Sequence, residues 1–239
     1  MVNIPVIARR ELNSYFLSPI AYVVLTAFTL GHGLLFSIYT GASTIDPTAV
    51  LRFAFWVGLY LMIVAAPIIS MGLLSREVHD GTIEPLMTAP VSDGDVVLGK
   101  FCGALLFSMT LMIPILLETV FLGVTGTLDY GPVAGGFLGL YLLTAQFLAV
   151  GLFCSTLTRV QIGSAITSFV ILVGMFFLWL LVRDRSSDIA RALRYLAPPR
   201  HFGNFVKGIV DTRSLVYFVA TTCLFLFLSV RVLESRKWR

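Results

Sequence analysis

Residues Phe53 to Leu74 read FAFWVGLYLMIVAAPIISMGLL. No Asp, Glu, Lys or Arg interrupts this stretch, and as a helix rising about 1.5 Å per residue it reaches about 33 Å, the thickness of a bilayer's hydrocarbon core. In such a core every backbone N–H and C=O needs an internal partner, which restricts the segment to a helix. Five more stretches are long and apolar enough to do the same: Pro19 to Tyr39, Lys100 to Leu122, Val133 to Cys154, Ile162 to Val182 and Leu215 to Leu233. Composition agrees, because 57% of the 239 residues are hydrophobic and 13% charged, with a mean hydropathy of +0.91, whereas a soluble domain carries about 25% charged residues. The reading is an all-α membrane protein of six transmembrane helices in one domain over residues 1–239. A soluble globular domain is excluded.

Segments between the spans carry further helices. Ahead of the first span, Ile4, Ile7, Leu12, Tyr15 and Phe16 share a broad apolar face with Arg9, Arg10 and Asn13 opposite, which predicts an amphipathic interfacial helix over residues 1–18. Glu11 sits inside the apolar arc and breaks the pattern. Between the fifth and sixth spans, residues 183–214, two periodic runs appear. In the first, Asp188 caps a stripe of Ile189, Ala192, Leu193 and Leu196 that Pro198 and Pro199 end. In the second, Phe202, Phe205, Val206, Ile209 and Val210 repeat the spacing. Two helices too short to span predict an outer re-entrant hairpin.

An even number of spans puts both termini on one face. That face carries Arg9, Arg10, Arg76, Lys100, Arg159, Arg231, Arg236, Lys237 and Arg239, nine in all, against eight opposite, of which only Arg52 lies outside the hairpin. With the hairpin treated as a structured element, the rest of the count places the termini inside. The net charge of +4 comes from scattered residues without basic runs beside aromatics, so nucleic acid is not the expected partner. Cys102, Cys154 and Cys223 fall in apolar stretches without metal-ligand spacing and read as packing residues. The polar, charged opening segment predicts an uncleaved first span.

Standard catalytic motifs are missing: no phosphate loop ending in Gly-Lys-Ser/Thr, no H-E-x-x-H and no G-x-S-x-G. His32, His79 and His201 lie in the first span and in two different loops, which reads as three lone hydrogen-bonding side chains. Glu118 is the one carboxylate within an apolar span, close to its outer end, and is a candidate for transport or gating. Pro114, four residues earlier, removes a backbone donor and predicts a kink or hinge. Gly99/Gly103 and Gly135/Gly139 have the spacing that permits close helix approach.

The loop Ser75 to Lys100, SREVHDGTIEPLMTAPVSDGDVVLGK, carries Glu77, Asp80, Glu84, Asp93 and Asp95, with basic residues only at its ends. Such an acidic loop does not lie on an anionic membrane surface; it faces solvent or a protein. Gly81 permits a turn, Thr82 caps a short helix through Ile83, Glu84 and Leu86, and Pro90 ends it. Ser92 with Asp95 resembles a capping box for the helix that follows.

Four stretches, RRELNSYFLSPIAYV from Arg9, REVHDGTIEPLMTAPVSDGDVVLGK from Arg76, HFGNFVKGIVDTRSLVYF from His201 and the terminal LESRKWR, resemble ABC-2 type permeases, in particular their small gliding-motility-type group. Pro85 departs from the aliphatic residue expected at its place. The resemblance implies a permease that exports a substrate from the bacterial inner membrane, with both termini cytoplasmic. A second permease copy and two copies of a separate ABC-type ATPase are its implied partners, alongside membrane lipid. ATP and Mg would bind that ATPase, and no cofactor this chain. The resemblance further implies that residues 1–18 form a connecting helix and that residues 75–99 form the coupling loop. In that loop Arg76, Glu77, Gly81, Thr82, Glu84 and Pro90 would couple to the ATPase, while Leu193, Leu196, Phe202 and Phe205 would form the outer hairpin. Two alternatives remain at this stage. One is an ATP-driven envelope machine without export. The other is an ATP-independent carrier whose path is lined by Glu118, Tyr60, Ser70, Ser164, Thr167 and Ser168.

Overall fold

A computed structural model describes residues 3–41, 46–79, 92–181 and 195–236. The first helix, α1 (Asn3–Leu17), is the expected amphipathic segment, and Ser18 separates it from α2 (Pro19–Gly41), the first span. The second span holds α3 (Pro47–Ser70) and α4 (Ser75–His79), joined by the turn Met71 to Leu74. The third holds α5 (Asp93–Ser108), a 3₁₀ turn (Met109–Met112) and α6 (Ile113–Thr125). Then follow α7 (Tyr130–Leu157), α8 (Gln161–Leu181), the short α9 (Pro198–Val206) and α10 (Thr212–Arg236). Six helical stretches are long and apolar enough to cross a membrane, and the described residues contain no strand.

Local chemistry sets the boundaries. The Asp46 carboxylate accepts from the Thr48 N–H, so the second span starts at Pro47 and not at Phe53, and Arg52 lies within its first turns. The Ser92 hydroxyl accepts from the Asp95 N–H at 3.1 Å, which starts α5 at Asp93, two turns ahead of the expected Lys100. Ahead of Pro114 the helix tightens into the 3₁₀ turn and α6 restarts at Ile113, so the expected interruption is there.

The central helix is α7: 72% of its apolar stretch is buried, against 22% for α2 and 17% for α8, whose outer faces are left uncovered by the chain. Around it pack α3, α8, α9 and α10. Both glycine pairs serve close approach. A Cβ at Gly99 would stand 2.7 Å from the Ile7 side chain, and one at Gly103 2.7 Å from that of Glu11, so α1 lies directly on α5. At the far end a Cβ at Gly139 would stand 2.5 Å from Phe205, where α9 seats on α7.

Sequence periodicity misplaces the hairpin's second helix. Instead of starting after the prolines and running to Val210, α9 begins at Pro198 and stops at Val206. Pro198 and Pro199 supply a first turn that needs no N–H partner, and Gly208, at φ +80°, turns the chain away against Gly131 and Pro132. Ile209 and Val210 are accordingly exposed, while Phe202 and Phe205 are fully buried. Leu196 is exposed, and the first run, with Leu193, lies outside the described residues apart from its end.

Candidate functional site

At the face where the chain begins, three helices meet on one cation. Because Gly99 and Gly103 let α1 settle on α5, Glu11 is aimed at Lys100, which is 3% exposed. Lys100 Nζ lies 3.2 Å from Glu11 Oε2 and 2.8 Å from Glu77 Oε1 on α4. Arg10, largely in solvent, stands 3.6 Å from the same Glu77 oxygen. Thus the residue that broke the apolar arc of α1 is the one that binds it to the bundle. Glu77 Oε2 is buried and has no hydrogen-bond partner among the described residues. Removing one member of such a buried set leaves an uncompensated charge and costs about 3–5 kcal/mol.

Gly94 to Lys100 has the glycine and lysine spacing of a phosphate loop, with Phe101 where the hydroxyl residue belongs. The stretch is continuous helix and its lysine is held by two carboxylates, so it presents no phosphate cradle.

Behind this clamp the second span is broken on purpose-built contacts. The Leu73 N–H bonds back to the Ser70 carbonyl, leaving the Ile69 carbonyl to accept from the Tyr15 hydroxyl at 2.7 Å. Burial foremost, with the Glu11 carboxylate second, pushes the Tyr15 phenol well above its ordinary range against the opposing pull of Arg76, so it stays a donor. Its ring stacks on Phe107 at 4.8 Å. On the other side Ser155 of α7 accepts from the Leu74 and Ser75 N–H groups at 3.0 and 2.9 Å and donates to the Met71 carbonyl at 3.1 Å. One hydroxyl therefore uses its full donor and acceptor capacity to fix α4 to the central helix.

Of the expected coupling residues, Glu77 belongs to the clamp, whereas Arg76 is exposed and turns over Gly72 toward Gln161. Gly81, Thr82, Glu84 and Pro90 lie outside the described residues. Glu118 is not isolated, and His32 is not a lone side chain. His32, fully buried, places Nδ1 2.9 Å from Glu118 Oε1, while its Nε2 donates to the Ala54 carbonyl at 3.0 Å. With Nε2 committed as a donor, Nδ1 and the carboxyl oxygen share a single proton, and the pair ties α2, α3 and α6 together. Pro114 stands one turn before Glu118 at the restart of α6. Of the other path candidates, Ser70, Ser164 and Ser168 are buried, with the Ser70 and Ser168 hydroxyls both beside Gly151 of α7, while Tyr60 and Thr167 are exposed.

A second cluster, which periodicity did not reveal, holds α9 at the opposite face. His201 Nε2 donates to the Tyr195 carbonyl at 2.8 Å, so Nδ1 accepts from the Ser214 hydroxyl at 3.1 Å, and the ring stacks on Tyr217 at 4.1 Å. Tyr217 donates to the Leu196 carbonyl at 2.7 Å and accepts from Gln146 Nε2 at 3.1 Å. Burial, chiefly, holds His201 below its ordinary 6.5 and keeps it neutral. Gln146 is the legible signal, an amide amid the apolar run of α7.

A bundle with six candidate spans, an amphipathic helix clamped to the segments that end span two and begin span three, and a small helix docked at the other face define a polytopic helical membrane domain. Residues 61–238 match the sequence model for ABC-2 family transporter proteins, and the chain belongs to that family. It is 25% identical over 190 residues to the probable multidrug ABC transporter permease YbhS of Escherichia coli K12, a match covering 74% of this chain and 48% of that protein. The protein of the same name from Escherichia coli O157:H7 matches to the same extent. The chain thus spans about half the length of the curated relatives it matches.

Proposed function

We propose that this chain is the membrane subunit of an ATP-driven exporter of the gliding-motility-type group, seated in the bacterial inner membrane with both termini in the cytoplasm. Two copies pair, and each engages one copy of a separate ABC-type ATPase, which alone binds ATP and Mg. Residues 75–99 couple to the ATPase, with Glu77 and Glu84 in polar contact with it and Arg76, Gly81, Thr82 and Pro90 belonging to the same coupling segment. The observation that carries this reading is the clamp: α4, which opens that loop, is tied by Glu77 to Lys100 and Glu11, and by Ser155 to the central helix. A displacement of the loop therefore reaches α1, α5 and α7 together. Export is favoured over an ATP-independent carrier by membership of the ABC-2 family and by the commitment of Glu118 to His32. Hydrophobic cargo suits the apolar spans and accords with the multidrug name of the matched permease.

Charge reversal Glu84→Lys tests the docking. Co-purification of the ATPase with the intact permease is expected to fall at least tenfold while membrane insertion is unchanged. Undiminished co-purification and ATP hydrolysis contradict the reading.

A further inference from the structure

Beneath α1 a narrow cleft of about 500 Å³, its open mouth included, runs between α1, the start of α2, the Met71 to Leu74 turn and the start of α8. Its lining combines two chemistries. Arg76, Gln161, Ser14 and Ser18 are polar. The Arg76 guanidinium and the Gln161 amide converge over Gly72, whose missing Cβ would lie 3.7 Å from Arg76 Nη2 and 3.8 Å from Gln161 Oε1. Ile20, Val24, Ile68 and Phe107 are apolar.

Charge in the cleft is unbalanced. Glu11 reaches its wall, but Glu11 Oε2 is held by Lys100, and the Tyr15 hydroxyl is committed to the Ile69 carbonyl. Arg76 makes no ion pair with a described residue. Ile20 of the lining and Val23 are exposed on α2, the span that begins at Pro19, and Leu17 is exposed at the end of α1, so this end of the first span presents apolar side chains at the depth where lipid headgroups would lie. Basic pockets between membrane helices on the cytoplasmic side suit anionic headgroups.

We propose that this cleft binds an anionic phospholipid of the adjoining leaflet, with its phosphodiester on Arg76 and the Gln161 amide and an acyl chain along Ile20, Val24 and Ile68. A soluble anion would use only the polar lining and leave the apolar lining wet. The lipid would bridge α4 and α8 to α2 and α3 beside the clamp, so membrane composition would set how firmly α4 is held.

The test is lipid retention by the full-length chain, purified in neutral detergent and read by native mass spectrometry. Phosphatidylglycerol, phosphatidylcholine and glycerol 3-phosphate are offered separately. At least tenfold preference for phosphatidylglycerol over phosphatidylcholine is expected, lost in Arg76→Gln and kept in Arg76→Lys, with no retention of glycerol 3-phosphate. Ile20→Ser, which leaves the cation in place, should lower phosphatidylglycerol retention severalfold. Equal retention of both lipids, or a preference indifferent to both Arg76→Gln and Ile20→Ser, overturns the proposal. Retention of glycerol 3-phosphate equal to that of phosphatidylglycerol overturns it in favour of a soluble-anion site.

Discussion

The two ends of the bundle are fastened by opposite chemistry. Where the chain begins, α1, α4 and α5 meet on buried charges from Glu11, Lys100 and Glu77. At the other face α9 is held by neutral hydrogen bonds and stacked rings around His201 and Tyr217. Buried ion sets add little net stability but penalise heavily the loss of one member, whereas neutral networks lose about a hydrogen bond at a time. The charged end therefore resists partial opening and favours concerted movement, while the neutral end holds its small helix without any charge that must move.

The largest expected effect breaks the charged end. Lys100→Met leaves two buried carboxylates facing each other and should lower stability by about 3–5 kcal/mol, read as thermal unfolding in detergent. Adding Glu11→Gln and Glu77→Gln should recover most of that loss, since no uncompensated charge remains. Next is Ser155→Ala, which strips two N–H groups of their acceptor and should cost about 1–3 kcal/mol, with faster hydrogen exchange at Leu74 and Ser75.

The smallest effect belongs to the neutral end and is a matter of pH. Because His201 sits below 6.5 when folded, the unfolded chain binds more protons as pH falls past 6.5. The contribution of His201 is complete above 6.5 and drains away as pH descends from there toward the folded value. Melting curves between pH 7.5 and pH 5 should show this loss, and His201→Gln should flatten it.

How much of this was legible follows from sequence distance. Apolar length gives the spans, and local hydrogen bonding gives the Ser92 cap and the interruption ahead of Pro114, because each signal lies within a few residues. The contacts that give the ends their character join residues 89 apart in Glu11 to Lys100, 86 apart in His32 to Glu118 and 80 apart in Ser155 to Ser75. No periodicity encodes such pairs. Their traces were exceptions to pattern: Glu11 in an apolar arc, Glu118 in an apolar span and Gln146 in α7. The end of the second periodic run was misplaced for a related reason, since the spacing continues through Ile209 and Val210 while the helix ends at Val206 and the chain turns at Gly208.

In the proposed coupling the clamp links a loop docked on the ATPase to the far end of the bundle. Its most direct test is an environment-sensitive fluorophore on Ile209→Cys, an exposed position just beyond α9, with Cys223→Ser removing the other exposed thiol. The probe is read in the intact permease–ATPase complex as ATP is added. In the otherwise unaltered complex the signal should shift on ATP addition. With Glu11→Gln, Glu77→Gln and Lys100→Met combined, the ATPase should still co-purify and hydrolyse ATP while the shift falls at least fivefold. An undiminished shift in that triple variant contradicts the account.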